Sequence, residues 1–343
     1  MLKMLGSPRR CCDGITRRET LAAGALTTLG AGFSLPDLLA AQESTDEPLA
    51  GSGKAKSVIL LYLLGGAPTQ DMYDLKPGAP ENIRGPFQPI ATSAPGAEIS
   101  EMMPLSAKWM HRSAIVRSVG HESGCHNTLP SYTGYERKLP NISITEDFYP
   151  PSMGSVCEYL NPDPASPDYI YMPCYLGWGQ SIRRPGPYGG FLGKQYDPLY
   201  TVCSPSVDNP PDKPYHSQVL RGEPKIPNSK LSDGMTVDRL NLRKNLLDQL
   251  DDQRRRVGRS PATVSFGKQS ERAWSILTSS SVRDAFDLDQ VDPGLRDKYG
   301  RTLFGSSALV ARRLVESGVR FVNVTWDCYY ERLKLQYECW DTH

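Results

Sequence analysis

The sequence predicts an α/β domain with a mainly parallel central sheet flanked by helices, and three observations predict it. Val58 to Leu64 (V-I-L-L-Y-L-L) is an unbroken apolar run, too short for an ordinary helix and free of polar alternation, as suits a strand covered on both faces. Val319 to Trp326 (V-R-F-V-N-V-T-W) is a second run of strand formers, with a polar exit at Asp327. Between them lie segments of helical period, Leu303 to Gly318 above all, and alternation of helix with strand favours a parallel sheet.

The chain opens with basic residues and no acid before Asp13, then gives Thr16-Arg17-Arg18-Glu19-Thr20 and a small-residue apolar run from Leu21 to Leu35. A basic region before a modest apolar one reads as an export signal, and the paired arginines point to the twin-arginine route, with its translocase as partner. Residues 1–41 are assigned to this signal; Thr20 departs from the bulky residue often found there. The run is too short and too rich in Gly, Ala and Thr for a stable membrane span, which needs roughly 20 apolar residues. Residues 42–56 read as linker, so the expected location is periplasmic or extracellular.

The strand at Val58 stops at Gly65-Gly66, Pro68 stiffens its exit, and Asp71 and Asp74 follow. Loops at the carboxyl ends of parallel strands converge on a crevice where ligands bind. Two carboxylates there either supply hard oxygen ligands to a divalent cation or cap the next turn. Ala79 to Ile99 reads as a proline-rich surface excursion, Met102 to Met110 as a short helix, and Ala114 to Val119 as another strand by its alternation. That strand would deliver the loop Gly120 to Thr128, which carries His121, His126, Asn127 and Thr128 opposite the carboxylates. Such a loop can hold a hydroxyl nucleophile or groups that position an anion at the start of the following helix, or its histidines simply bond within the loop.

Thr133-Gly134-Tyr135 closes that segment. A helix starts between Pro150 and Gly154 with Met153, Val156, Tyr159 and Leu160 on one side, and Tyr169 to Cys174 reads as a strand. Arg183 and Arg184, in a flexible Gly/Pro-rich loop, either clamp an anionic substrate or lie solvated on the surface. Helices follow at Val237 to Val257, Glu271 to Leu277 and Val282 to Phe286. Another starts at Asp292-Pro293, and Leu303 to Gly318 is amphipathic with Gly318 at its end.

Composition excludes several classes. With 39% hydrophobic residues, 22% charged and a formal charge of +1, the chain carries neither a nucleic-acid surface nor a disordered composition. Prolines (29) and glycines (30) concentrate near residues 130–230, which marks a loop-rich insertion. Of eight cysteines, Cys11 and Cys12 sit in the signal, and the other six form no C-x-x-C pair. A thiolate zinc site is therefore not expected, and disulfides among the six stay open.

The ordered motifs Val58 to Pro77, Ile83 to Thr92 (I-R-G-P-F-Q-P-I-A-T), the His121 to Tyr135 loop, Arg296 to Gly300 (R-D-K-Y-G), Val319 to Val324 and Trp340 to His343 (W-D-T-H) resemble the domain of unknown function 1501 family. Its members are exported and similar to the alkaline-phosphatase and sulfatase superfamily. The resemblance implies an alkaline-phosphatase-like fold for residues 57–343. It makes Asp71 the metal carboxylate of the first strand, places Asp341 and His343 in a second metal cluster, and sets His126 in the loop facing them. Many relatives carry histidine where Thr69 stands. In the family, W-D-T-H precedes further elements that supply more ligands, so a C-terminally truncated domain with an incomplete site is expected.

The expected function is that of an exported metal-dependent hydrolase of phosphate or sulfate esters. Zinc, calcium or magnesium ions would be held by Asp71, Asp341 and His343. His126 or Thr128 would orient the substrate or carry the nucleophile. His121, Asn127, Arg183 and Arg184 would bind the anionic ester or a sulfated or phosphorylated glycan. No Cys/Ser-x-Pro-x-Arg run occurs near Ser123 to Pro130, which argues against a formylglycine sulfatase. The alternative is a non-catalytic exported binding or structural protein on the same fold.

Overall fold

The computed structural model describes residues 55–121, 128–135, 149–160, 167–173, 186–207, 219–227 and 280–326. The chain divides between Lys56 and Ser57 into two compact units, and every described strand and helix falls in the second. In chain order these are β1 (Val58–Leu63), β2 (Pro89–Ala91), β3 (Glu98–Ser100), α1 (Pro104–Ala107), α2 (Leu129–Thr133), α3 (Met153–Leu160), β4 (Tyr169–Met172) and β5 (Leu199–Tyr200). There follow β6 (Val202–Cys203), β7 (Ser206–Val207), β8 (Leu220–Arg221), β9 (Pro224–Lys225), α4 (Ser280–Phe286), α5 (Pro293–Tyr299), α6 (Leu303–Glu316) and β10 (Phe321–Trp326). The expected export segment and the helices expected at Val237 to Val257 and Glu271 to Leu277 lie outside the described residues. Among the described residues no helix is long and apolar enough to cross a membrane.

The central sheet has the order β1-β10-β4-β5, and all its pairings are parallel. The register aligns Leu60 with Asn323, Asn323 with Tyr171, and Tyr171 with Tyr200, so one row crosses all four strands. The next row, Ile59, Val322, Ile170 and Leu199, lies on the opposite face because successive residues of a strand alternate. The two faces therefore differ in chemistry. One is aliphatic: Ile170, Met172, Val322 and Val324 pack against Val310 and Leu314 of α6, Ala285 of α4 and Leu288. The other is phenolic, with Tyr62, Tyr132, Tyr171 and Tyr200 packed around Leu60 and Leu64.

Start and stop signals place the helices of the aliphatic face. The Asp292 carboxylate accepts from the Leu295 amide at 2.9 Å and opens α5, with Pro293 in its first turn. The Thr302 hydroxyl accepts from the Gly305 amide at 2.9 Å and opens α6. Gly305 has no alternative there, because a Cβ would stand 1.9 Å from the Tyr299 carbonyl oxygen.

Three expectations are corrected. The run from Val58 to Leu64 forms a strand, but among the described elements β1 is an edge strand paired with β10 alone, and Leu61 is 51% exposed. The inner places go to β10 and β4, whose residues from Tyr169 to Met172 are all buried. Ala114 to Val119 forms no strand: its alternation finds no partner among the described residues, and Val119 is 80% exposed. Helix α3 forms where expected but turns its other side inward. Gly154 and Ser155 are buried, while Met153, Tyr159 and Leu160 are exposed. The Tyr169 ring presses so closely that a Cβ on Gly154 would lie 2.5 Å from it, so the tight approach of helix to sheet outweighs the apolar stripe.

The excursion from Ala79 to Ile99 carries structure of its own. Strands β2 and β3 pair antiparallel, and Ile99 packs with Ala107 and Met110 in a small separate cluster. Two further antiparallel ribbons, β6 with β9 and β7 with β8, stand in the Pro/Gly-rich middle. Of the described cysteines, Cys157 is a free thiol.

Candidate functional site

Because the central strands run parallel, their carboxyl ends share one edge, and the first candidate residue lies just past the end of β1. Gly65 and Gly66 adopt φ of 102° and 77°, which lets the chain turn sharply, and Thr69 to Asp71 form a 3-10 turn. Neither Asp71 nor Asp74 caps that turn, since its first position is Pro68 and no side chain accepts there. The two carboxylates have opposite circumstances. Asp74 is neutralised by Lys76 at 2.6 Å and by Arg117 at 3.5 Å. Asp71 Oδ1 is enclosed by protein and receives no hydrogen bond.

What encloses it is the I-R-G-P turn from Ile83 to Pro86. A Cβ on Gly85 would fall 2.1 Å from Asp71 Oδ1 and 3.0 Å from the Gln70 carbonyl, so only glycine lets this backbone lie against the carboxylate. A desolvated carboxylate oxygen without a donor is costly, and a cation is the usual compensation. Asp71 Oδ1 is thus a buried acceptor that no described donor satisfies. Among the described residues, no group of three or more His, Cys, Asp and Glu side chains is gathered in one place.

Thr128 immediately precedes α2 and is 3% exposed. Gly186, at φ 144°, packs on it so closely that a Cβ there would meet Thr128 Oγ1 at 2.3 Å and the Tyr132 ring at 2.9 Å. His121 is exposed. His126, Asn127, Arg183, Arg184, Asp341 and His343 lie outside the described residues. Helix α2 packs on the first strand: Tyr132 lies against Tyr62, with ring centroids 5.0 Å apart, and against Leu64 at the exit of β1.

Sequence reasoning missed the polar network on the phenolic face. Tyr132 donates its hydroxyl to Asn323 Oδ1 at 3.1 Å, Asn323 Nδ2 donates to Thr325 Oγ1 at 2.6 Å, and Thr325 Oγ1 bonds the Tyr171 hydroxyl at 2.7 Å. All four residues are buried. Burial raises the Tyr132 phenol well above its ordinary pKa, with a smaller push from Tyr169 and Tyr62, and burial does the same to Tyr200. These phenols stay neutral, and Tyr132 acts as a hydrogen-bond donor. The signal was present in the period-two spacing of Asn323 and Thr325 in one strand and of Tyr169 and Tyr171 in another.

A family model described as a protein of unknown function (DUF1501) matches residues 55–343. The chain belongs to the DUF1501 family. No curated protein and no solved structure matches it. Within this DUF1501 domain the matched span includes Asp71 after the first strand, Gly85 against it, and the R-D-K-Y-G run that forms α5 and its glycine end, where Gly300 adopts φ 92°.

Proposed function

We propose that this DUF1501 protein is an exported, metal-dependent hydrolase of phosphate or sulfate esters, built on an alkaline-phosphatase-like sheet. The observation that carries the reading is the enclosed, donor-less Asp71 oxygen at the carboxyl edge of a parallel sheet, beside an Asp74 that is already charge-paired. Asp71, Asp341 and His343 would hold divalent zinc, calcium or magnesium ions, which polarise an ester oxygen and lower the pKa of a bound water or hydroxyl. Thr128, wedged beneath Gly186, suits an orienting part, and His126 is the better proton carrier by the chemistry of its side chain. Asn127, His121, Arg183 and Arg184 would receive the anionic group of the substrate, a simple ester or a sulfated or phosphorylated glycan.

The test is metal analysis of the purified full chain together with turnover of p-nitrophenyl phosphate and p-nitrophenyl sulfate. Stoichiometric divalent metal and activity in the wild type, both lost in Asp71→Asn, are expected. An Asp71→Asn protein that keeps metal or turnover overturns the reading. One observation favours the binding-protein alternative: an apolar groove of about 950 Å³ beside the edge strand, lined by Leu61, Leu105, Trp109 and Val116. A wild type that binds no metal would leave that alternative standing.

A further inference from the structure

We infer that the outward side of the Met102 to Arg112 segment is a docking surface for an anionic phospholipid membrane. The inference is independent of ester hydrolysis and of the Asp71 region. The segment holds α1 and a 3-10 turn from Met110 to Arg112, and it carries apolar residues on two sides where a surface helix carries them on one. Its inner side, Met103, Ala107 and Met110, packs with Ile99. Its outer side repeats the helical spacing with Met102, Leu105 and Trp109, which are 63%, 72% and 60% exposed. The cluster around Ile99 needs the first set, whereas the second stands in solvent. Large apolar side chains exposed together in one patch mark a contact surface.

Charge selects the occupant. The segment contains Lys108, His111 and Arg112 and no acid, and Glu101, just before it, accepts the Gln88 amide at 3.0 Å. Lys108 and Arg112 are exposed and make no ion pair with any described residue, whereas Arg117, farther along, is engaged by Asp74 at 3.5 Å. The Arg112 guanidinium stands 5.9 Å from the centre of the Trp109 ring, so cation and indole share one place on the surface. Indole, aliphatic side chains and cations together match the boundary between headgroups and acyl chains. There a tryptophan ring lies at the edge of the hydrocarbon, and lysine and arginine run their stems along it with their charges among the phosphates. The apolar surface continues into the groove that Leu105 and Trp109 line with Leu61 of β1. A protein partner must bring acids and an apolar ridge into register with this surface, while an anionic bilayer presents both everywhere.

Co-sedimentation of the purified full chain with vesicles of phosphatidylcholine alone, and of phosphatidylcholine mixed with phosphatidylglycerol, tests the surface. Wild type should bind the mixed vesicles and bind the neutral ones about tenfold more weakly, since each basic residue near an anionic surface adds a severalfold gain. Leu105→Glu with Trp109→Glu should weaken binding to the mixed vesicles by about tenfold or more, because two apolar side chains lose their burial and two acids face the lipid. Lys108→Gln with Arg112→Gln, a change at exposed residues that guards against misfolding, should weaken binding to the mixed vesicles about tenfold and leave the neutral ones unaffected. Leu160→Glu, at an exposed apolar residue of α3, should bind as wild type does. Undiminished binding in the Leu105→Glu, Trp109→Glu variant puts the contact elsewhere, the apolar run from Leu21 to Leu35 included, and overturns the inference. Failure of wild type to bind the mixed vesicles, equal binding to both kinds, an equal loss in Leu160→Glu, or a wild-type dimer that ignores vesicles and comes apart in the same variant would overturn it too.

Discussion

The Tyr132 hydroxyl donates to the Asn323 side-chain oxygen at 3.1 Å, joining the short helix α2 to an inner strand across 191 positions of sequence. Both residues are shielded from water, so the bond is made in a medium where a lost partner is not replaced. Tyr132→Phe keeps the ring against Tyr62 and removes only the donor. It should lower unfolding free energy by about 1–3 kcal/mol, the cost of an orphaned buried acceptor. A denaturant midpoint equal to wild type would show that the bond contributes nothing net.

Gly154 faces the Tyr169 ring at a separation that admits no side chain. Gly154→Ala should cost about 1–3 kcal/mol by overpacking, despite alanine's better helix propensity. Met153→Ala, one residue away on the exposed side, should stay within about 0.5 kcal/mol of wild type. Comparable melting shifts for the two variants would reject the close packing of α3 on the sheet.

The pH response follows from the phenolic face. Burial, the largest cause, raises the phenols of Tyr132, Tyr169 and Tyr200 above their ordinary value. A folded pKa above the unfolded one favours the neutral form. The contribution is therefore complete below about pH 10, the unfolded tyrosine value, and is lost as pH rises from there toward the raised folded values. Ultraviolet titration should show a late tyrosinate fraction that appears only together with loss of circular dichroism. A complete, reversible titration with the fold intact would contradict it.

Asp71 should show opposite effects on stability with and without cation. In chelated protein, Asp71→Asn removes a charge that no described group satisfies, so the melting temperature should hold or rise by the equivalent of up to about 1 kcal/mol. Adding divalent metal should then stabilise the wild type and leave the variant unmoved. A variant that melts well below chelated wild type would make Asp71 a structural residue.

The proposed twin-arginine export predicts a dependence on the paired arginines. Replacing Arg17→Lys and Arg18→Lys together should leave the precursor in the cytoplasm of the native host, as read by fractionation. Wild-type export of this variant would remove the twin-arginine assignment.

The existence of elements was more legible than their surroundings. The V-I-L-L-Y-L-L run showed a strand but could not show that β1 pairs on one side only among the described strands, because apolarity reports the wish for cover and not the presence of a neighbour. Helices α5 and α6 were readable because their signals are local: Asp292 caps one, and Gly318, at φ 105°, follows the last turn of the other. Ala114 to Val119 had the alternation of a strand without a partner to pair with among the described residues. Asp71 was marked by its place after a strand. Gly85, which encloses it, was hidden because that contact joins separate turns of the chain. The Tyr132–Asn323–Thr325–Tyr171 network is likewise a product of register, which no single segment encodes.

The sheet's two unlike faces bear on how this chain can vary. Branched aliphatic side chains beneath α6 can be exchanged for others of similar bulk, since dispersion has no direction. The hydroxyl and amide groups on the reverse are bound by angle as well as by size. A randomised library should therefore recover many functional solutions on one side and very few on the other, so that drift among homologues is steered onto a single surface of a shared layer.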